Sequence, residues 1–188
     1  MPWLEEWTAG LIEIPITATD IAQAQAIRAD RDQEYGNIFT VHEGDVRWVG
    51  ELGEIAFHRW LTAQQVTHTW ITKATAGKPD FWIGHQSVDV KTVKRQADGV
   101  DPNYGAQITA CQASKPIDQF FFATYIVSEQ KIILLGGLPR SEYLNQARFY
   151  ASGEHVHPAY QIREGHAIYN AMIGLLTLPA PWLRQITV

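Results

Sequence analysis

Cysteine is almost missing: Cys111 is the only one in 188 residues. No intrachain disulfide can form, and no Cys-rich zinc cluster can be assembled, which fits a reducing compartment. Cationic tracts are missing too. The chain has 15 Lys and Arg against 20 Asp and Glu, a formal net charge of -5. No polybasic run offers the broad positive face of many nucleic-acid binders. A nucleic-acid partner would have to be held by a local basic rim or by a bound cation. No apolar run is long enough to span a bilayer. The opening residues Met1-Pro2-Trp3-Leu4-Glu5-Glu6 lack the basic-then-apolar pattern of a signal peptide. A cytoplasmic protein with no membrane association is expected. Neither a Gly-rich phosphate loop nor a Gly-x-Ser-x-Gly elbow occurs, so nucleotide hydrolysis and serine hydrolysis have little support.

What is present is an ordinary globular balance, 46% hydrophobic and 19% charged. The length suits one domain over residues 1–188. Seven tryptophans are many for this length and should form core or groove walls. Residues 11–18 alternate weakly around Pro15, as an edge strand does. Thr19 is expected to cap a helix from Asp20 to Tyr35 that ends at Gly36. A second helix is expected over 48–63, with Leu52, Ile55, Ala56 and Trp60 on one stripe. Gly50 and Gly53 within it suggest close backbone packing. Strands are expected at 66–72, 80–83, 87–93, 117–127 and 131–135. Helices are expected near 105–113, 139–147 and 166–176, the last ended by Pro179 and Pro181, with a loop over 150–160. The class is α/β, a central mixed sheet flanked by helices. Its core covers about 48–138, with an N-terminal helix and C-terminal helical additions.

Pro79-Asp80, eight residues, then Asp89-Val90-Lys91 carry the chemistry. Val88 and Val90 point to one face of a strand, and Asp89 and Lys91 to the other. Gly84-His85 suits a two-residue hairpin loop. That loop sets Ile83 against Gln86 and therefore Asp80 against Asp89. Two opposed carboxylates repel unless a cation lies between them. A loop longer by one residue would send the aspartates to opposite faces. Glu51, Glu54 and His58 share a second stripe of the helix over 48–63, beside the apolar one. Oxygen ligands with open positions suit Mg²⁺, with Mn²⁺ able to substitute. Such an ion polarises a phosphate and lowers the pKa of bound water. Lys91 could then stabilise transition-state charge or, with a depressed pKa, take a proton from water.

The pattern resembles the PD-(D/E)XK nuclease superfamily, which has the restriction-endonuclease-like fold. The resemblance rests on Gly50-x-x-Gly53-Glu54-x-Ala56-Phe57, Pro79-Asp80 and Asp89-Val90-Lys91-Thr92. It spans about residues 48–95, with a looser likeness up to about 138. It implies a Mg²⁺-dependent phosphodiesterase acting on DNA, an endo- or exonuclease. Implied settings are phage or mobile-element DNA processing, restriction or repair. By position, Asp80, Asp89 and Lys91 would be the motif residues. Glu54 would be the helix carboxylate, with Glu51 as the alternative. Homodimers are common among relatives, and the acidic chain raises the alternative of recruitment by a partner protein. No tyrosine follows Gln107 or Gln112 at the spacing of the Gln-x-x-x-Tyr exonuclease branch. RNA as substrate, and a non-catalytic nucleic-acid-binding or assembly module on the same fold, are the competing readings.

Further residues carry weaker signals. Lys94 and Arg95 follow the catalytic strand and could grip a phosphate backbone, or simply be surface charge at a strand end. Tyr104 could stack on a base, and Gln107 could contact DNA or orient water. His155-x-His157 shares a strand face but has no partner ligands of matching spacing. His58 reads as a surface histidine, with a hydrogen bond at the site as its other reading. Cys111 reads as a small buried side chain.

Overall fold

The computed structural model describes residues 2–35, 46–73, 77–96 and 99–187. Along the chain come α1 (Pro2–Ala9), β1 (Ile12–Pro15), α2 (Ala18–Tyr35), α3 (Trp48–Ala63), β2 (His68–Trp70), β3 (Phe81–Ile83) and β4 (Gln86–Arg95). Then follow β5 (Gly105–Thr109), α4 (Ala110–Ala113), β6 (Gln119–Ile126), β7 (Lys131–Pro139), α5 (Arg140–Gln146) and β8 (Arg148–Tyr150). The end is built from β9 (His155–His157), β10 (Tyr160–Gln161), β11 (Ile168–Met172), a 3-10 turn at Ile173–Leu175, and α6 (Pro179–Ile186).

Six strands form a mixed sheet in the order β1-β7-β6-β4-β3-β2. Only β4 and β6 run parallel; their neighbours are antiparallel. All eight residues of β6 are buried, as expected for an unbroken apolar and aromatic run covered on both faces. One face carries a core of Leu52, Ile55, Ala56 and Phe57 from α3, with Val88, Val90, Phe121 and Trp182. The other face packs Phe120, Phe122 and Leu135 against Trp7, Ile108, Tyr143 and Ala171. The α/β class and the mixed sheet therefore match the sequence reading.

The helix α3 sits close to β4 because Gly53 has no side chain. A methyl group there would overlap Thr92 Oγ1, whereas Gly50 has nothing within 4 Å. Close packing therefore explains Gly53 and not Gly50. At the start of α2, Thr17 and Asp20 cap each other: the Asp20 amide donates to Thr17 Oγ1 at 3.2 Å and the Thr17 amide to Asp20 Oδ2 at 2.8 Å. The cap is Thr17 rather than Thr19, since it is Thr17 that has an acidic residue three positions on. The expected stop at Gly36 lies outside the described residues.

The second half departs further from expectation. The helix read over 105–113 is mostly β5, followed by the four residues of α4. The helix read over 166–176 is β11 and the 3-10 turn. Here β11 pairs antiparallel with β5 on one side and β8 on the other, a three-stranded sheet that covers the second face of the large one. Long-range pairing overrides a local apolar spacing that fits either period. Pro179 and Pro181 open α6 instead of closing a helix, because proline is accepted in a first turn where no intrahelical donor is needed. The loop read over 150–160 contains β9, paired to β10, and α1 was not anticipated.

Two alanine substitutions in α3 should shift stability in opposite directions. Gly53→Ala overpacks the contact with Thr92 and should cost about 1–3 kcal/mol. Gly50→Ala enters open space on a helix and should add about 0.4–1 kcal/mol. Urea unfolding of both variants checks this pair; equal effects would show that α3 does not lie against β4 as described.

Candidate functional site

The β3–β4 hairpin turns at Gly84-His85, with Gly84 at φ +57°. Ile83 pairs with Gln86 and Phe81 with Val88, the register expected from a two-residue loop. The ladder then ends one step short of the aspartates. The Asp80 amide donates back to the Val88 carbonyl at 3.1 Å, so Asp80 and Phe81 both face Val88. The Asp80 carbonyl accepts from the Ile71 amide at 2.8 Å, and its Oδ2 accepts from the Val90 amide at 2.8 Å. Asp80 is thus tied to the exit of β2 and to the middle of β4 by its own backbone and side chain.

Asp89 and Lys91 alternate with the core valines on β4. Val88 and Val90 join the α3 side of the core, while Asp89 is buried on the opposite pleat. Lys91 Nζ lies 2.6 Å from Asp89 Oδ2. The contact is an ion pair without hydrogen-bond alignment, since Oδ2 is buried and takes no aligned donor. The Asp80 and Asp89 carboxyls stand near enough for each to act on the other's ionisation. Burial, then the charges of Glu54 and Asp89, push the Asp80 carboxyl well above the usual carboxylate range. Burial would raise Asp89 as well, but Lys91 and then Asp80 outweigh it and hold Asp89 low. The two carboxyls are therefore pushed in opposite directions, Asp80 up and Asp89 down. Burial works against the Lys91 ammonium, yet Asp89 and Asp80 more than compensate and raise its pKa. Lys91 stays charged, which suits stabilising negative charge and removes it as a proton acceptor in this arrangement.

Glu51 and Glu54 are both buried, not on a solvated helix face. Their partner is Arg31 of α2, whose Nη1 reaches Glu51 Oε1 and Glu54 Oε1 at 2.8 Å each, and whose Nη2 reaches Glu54 Oε2 at 2.9 Å. Trp70 Nε1 adds a bond to Glu54 Oε2 at 2.9 Å. Arg28 Nη1 stands 3.1 Å from Glu51 Oε1. Glu54 is still near enough to Asp80 and Lys91 for its charge to act on both. Arg31 and Trp70 were not anticipated. The signal was Arg28-x-x-Arg31 on one helix and Glu51-x-x-Glu54 on the next, the same one-turn spacing with opposite charge.

Among the described residues, no three His, Cys, Asp or Glu side chains are grouped so as to hold a metal ion. The expected three-carboxylate set is therefore not gathered here: Asp80 and Asp89 come together, while Glu54 and Glu51 are turned to arginine. Two adjacent carboxylates do fit a divalent ion such as Mg²⁺, which commonly takes one or two protein carboxylates and keeps its waters.

The residues proposed for nucleic-acid contact separate. Arg95 is on the same pleat of β4 as Asp89 and Lys91, and Lys94 is on the opposite one and exposed. The Arg95 guanidinium lies 4.3 Å from the centre of the Tyr104 ring and donates to the Gly105 carbonyl at 3.3 Å. One face of Tyr104 is therefore covered by a cation. Gln107 is a strand residue rather than a helical one, and its Oε1 accepts from the Tyr160 hydroxyl at 3.4 Å. His58 is not a plain surface histidine. Its Nδ1 is 2.8 Å from His68 Nε2, and its ring stacks on Trp70 with centroids 4.9 Å apart. Burial, and then the charge of His68, lower its pKa. His155 and His157 are exposed on β9. Cys111 is exposed rather than buried, 3.1 Å from Thr109 Oγ1.

No protein-family model matches this chain, and no curated protein matches it significantly.

The raised Asp80 carboxyl has a pH signature. Asp80 binds its proton more tightly folded than unfolded, so the stability this gives is fully present in acid. It is lost as pH rises from the unfolded carboxylate value, about 3.9, through the raised folded value. Asp80→Asn removes that loss while keeping an acceptor for the Val90 amide. In chelator-treated protein, the variant should gain on the native chain as pH rises from about 4, at up to about 1.4 kcal/mol per pH unit. Thermal unfolding across that range checks it; a gap that narrows as pH rises would mean that Asp80 is ionised and paired.

Proposed function

We propose that this chain is a divalent-metal-dependent nuclease that hydrolyses DNA phosphodiester bonds on a restriction-endonuclease-like version of the α/β fold. The observation that carries this reading is the meeting of Asp80, Asp89 and Lys91 at one end of the β3–β4 hairpin, with the two carboxyl groups near enough to perturb each other and the Lys91 ammonium against Asp89. A buried carboxyl beside a half-buried one is costly to ionise unless a cation lies with them. Asp80 and Asp89 would hold Mg²⁺ or Mn²⁺. When bound, the ion would supply a polarised phosphate and a more acidic water. Lys91, held charged, would stabilise the negative charge of the pentavalent transition state. Arg95, on the same pleat two positions beyond Val93, would steady the backbone of the bound strand, and Tyr104 would offer its remaining face for stacking.

A second reading is a non-catalytic nucleic-acid-binding or assembly module. It is favoured by the commitment of Glu54 to Arg31, which leaves two carboxylates where the resemblance implies three.

Plasmid nicking separates the two. With Mg²⁺ or Mn²⁺ the native chain should nick DNA, EDTA should abolish the activity, and Lys91→Ala and Asp89→Asn should each lower the rate by roughly 100-fold or more. Parallel incubation with RNA tests substrate class. Cleavage that survives EDTA or both substitutions, or no cleavage of either nucleic acid, removes the enzymatic reading.

A further inference from the structure

Glu54 is bonded as a positioned group, not as an open ligand. Its Oε1 accepts from Arg31 Nη1, and its Oε2 accepts from Arg31 Nη2 and Trp70 Nε1. Three of the roughly four acceptor positions of a carboxylate are filled. Arg31 is itself held from two sides. Its third carboxylate bond goes to Glu51, while Nε donates to the Thr72 carbonyl at 3.1 Å and Nη2 to the Ile71 carbonyl at 3.3 Å. Those carbonyls belong to the segment that leaves β2, and the Ile71 amide donates to the Asp80 carbonyl. One buried guanidinium therefore ties α2, α3 and the chain beside Asp80 into a single unit, with the planar fork that lysine lacks.

From this geometry we infer that Arg31 is a positioning residue that withholds Glu54 from the cation and fixes the protein ligands at Asp80 and Asp89. The inference rests on the metal-site reading above. A two-carboxylate set leaves more coordination positions to water and phosphate oxygens, the arrangement suited to a small ion that keeps its waters. Glu54 then acts through its charge on Asp80 and Lys91, not by ligation.

Arg31→Lys separates fork from charge. A lysine keeps one positive charge but cannot hold both oxygens of Glu54 and one of Glu51. Calorimetric titration with Mn²⁺, without nucleic acid, should show Arg31→Lys binding about tenfold more tightly than the native chain, the lower end of the range by which outer residues tune metal sites. In Arg31→Lys/Glu54→Gln that gain should disappear. Unchanged or weaker binding by Arg31→Lys, or a gain that survives in the double variant, overturns the inference. If thermal melts show Arg31→Lys unfolded, the single variants decide. Glu54→Gln must weaken Mn²⁺ binding by less than about tenfold and Asp89→Asn by much more; equal losses place Glu54 on the ion. If the native chain binds no Mn²⁺ at all, the metal-site reading itself fails. If it binds and the two substitutions act independently, only the role of Arg31 fails.

Discussion

Burying carboxylates together is the constraint around which this structure is arranged. Glu51, Glu54 and Asp89 are buried and Asp80 is half-buried, the glutamates on the α3 side of the sheet and Asp89 on the opposite pleat of β4. Isolated buried charges are costly, so each must find a cation, a donor or a proton. Arg31 serves the two glutamates, Lys91 serves Asp89, and the Asp80 carboxyl is pushed up. Substituting Glu54, Asp89 or Lys91 changes the state of Asp80, because the charges of all three act on it.

The fold supplies this arrangement through two contacts of different kinds. Gly53 lets α3 lie against Thr92 of β4, which brings Glu54, one residue further on, toward the hairpin. The hairpin ends its ladder at Phe81, so Asp80 is free to turn its carboxyl to the Val90 amide beside Asp89. The first contact is steric and the second is a register effect. Neither would gather the site alone. The apolar core beneath them, from Leu52 and Phe57 to Val88, Val90 and Phe121, makes both rigid.

Local pattern was a good guide where one period dominates over enough residues. The long helices α2 and α3, the buried run of β6 and the hairpin loop at Gly84-His85 were all legible. Pattern failed where segments are short and their partners distant. The segment around Ile168 to Met172 has apolar residues that fit a helix as well as a strand, and only β5 and β8 on either side settle it. Pro179 and Pro181 punctuate a helix boundary, but a proline does not reveal from which side the helix comes. Cys111 shows the same limit: cysteine is usually buried, yet α4 is too short and too near the surface to bury it.

Asp80 turns to the Val90 amide beyond the paired ladder. By itself the sequence determined the turn, the register up to Phe81 and Val88, and the alternation that sets Asp89 and Lys91 on one pleat. It did not determine how those groups are charged or what occupies Glu51 and Glu54. Only the tertiary structure decided that, by bringing Arg31 from a separate helix to the two glutamates and by burying Asp89 beside Lys91. Charge state depends on distance and dielectric, and both are properties of the packed chain rather than of residue order.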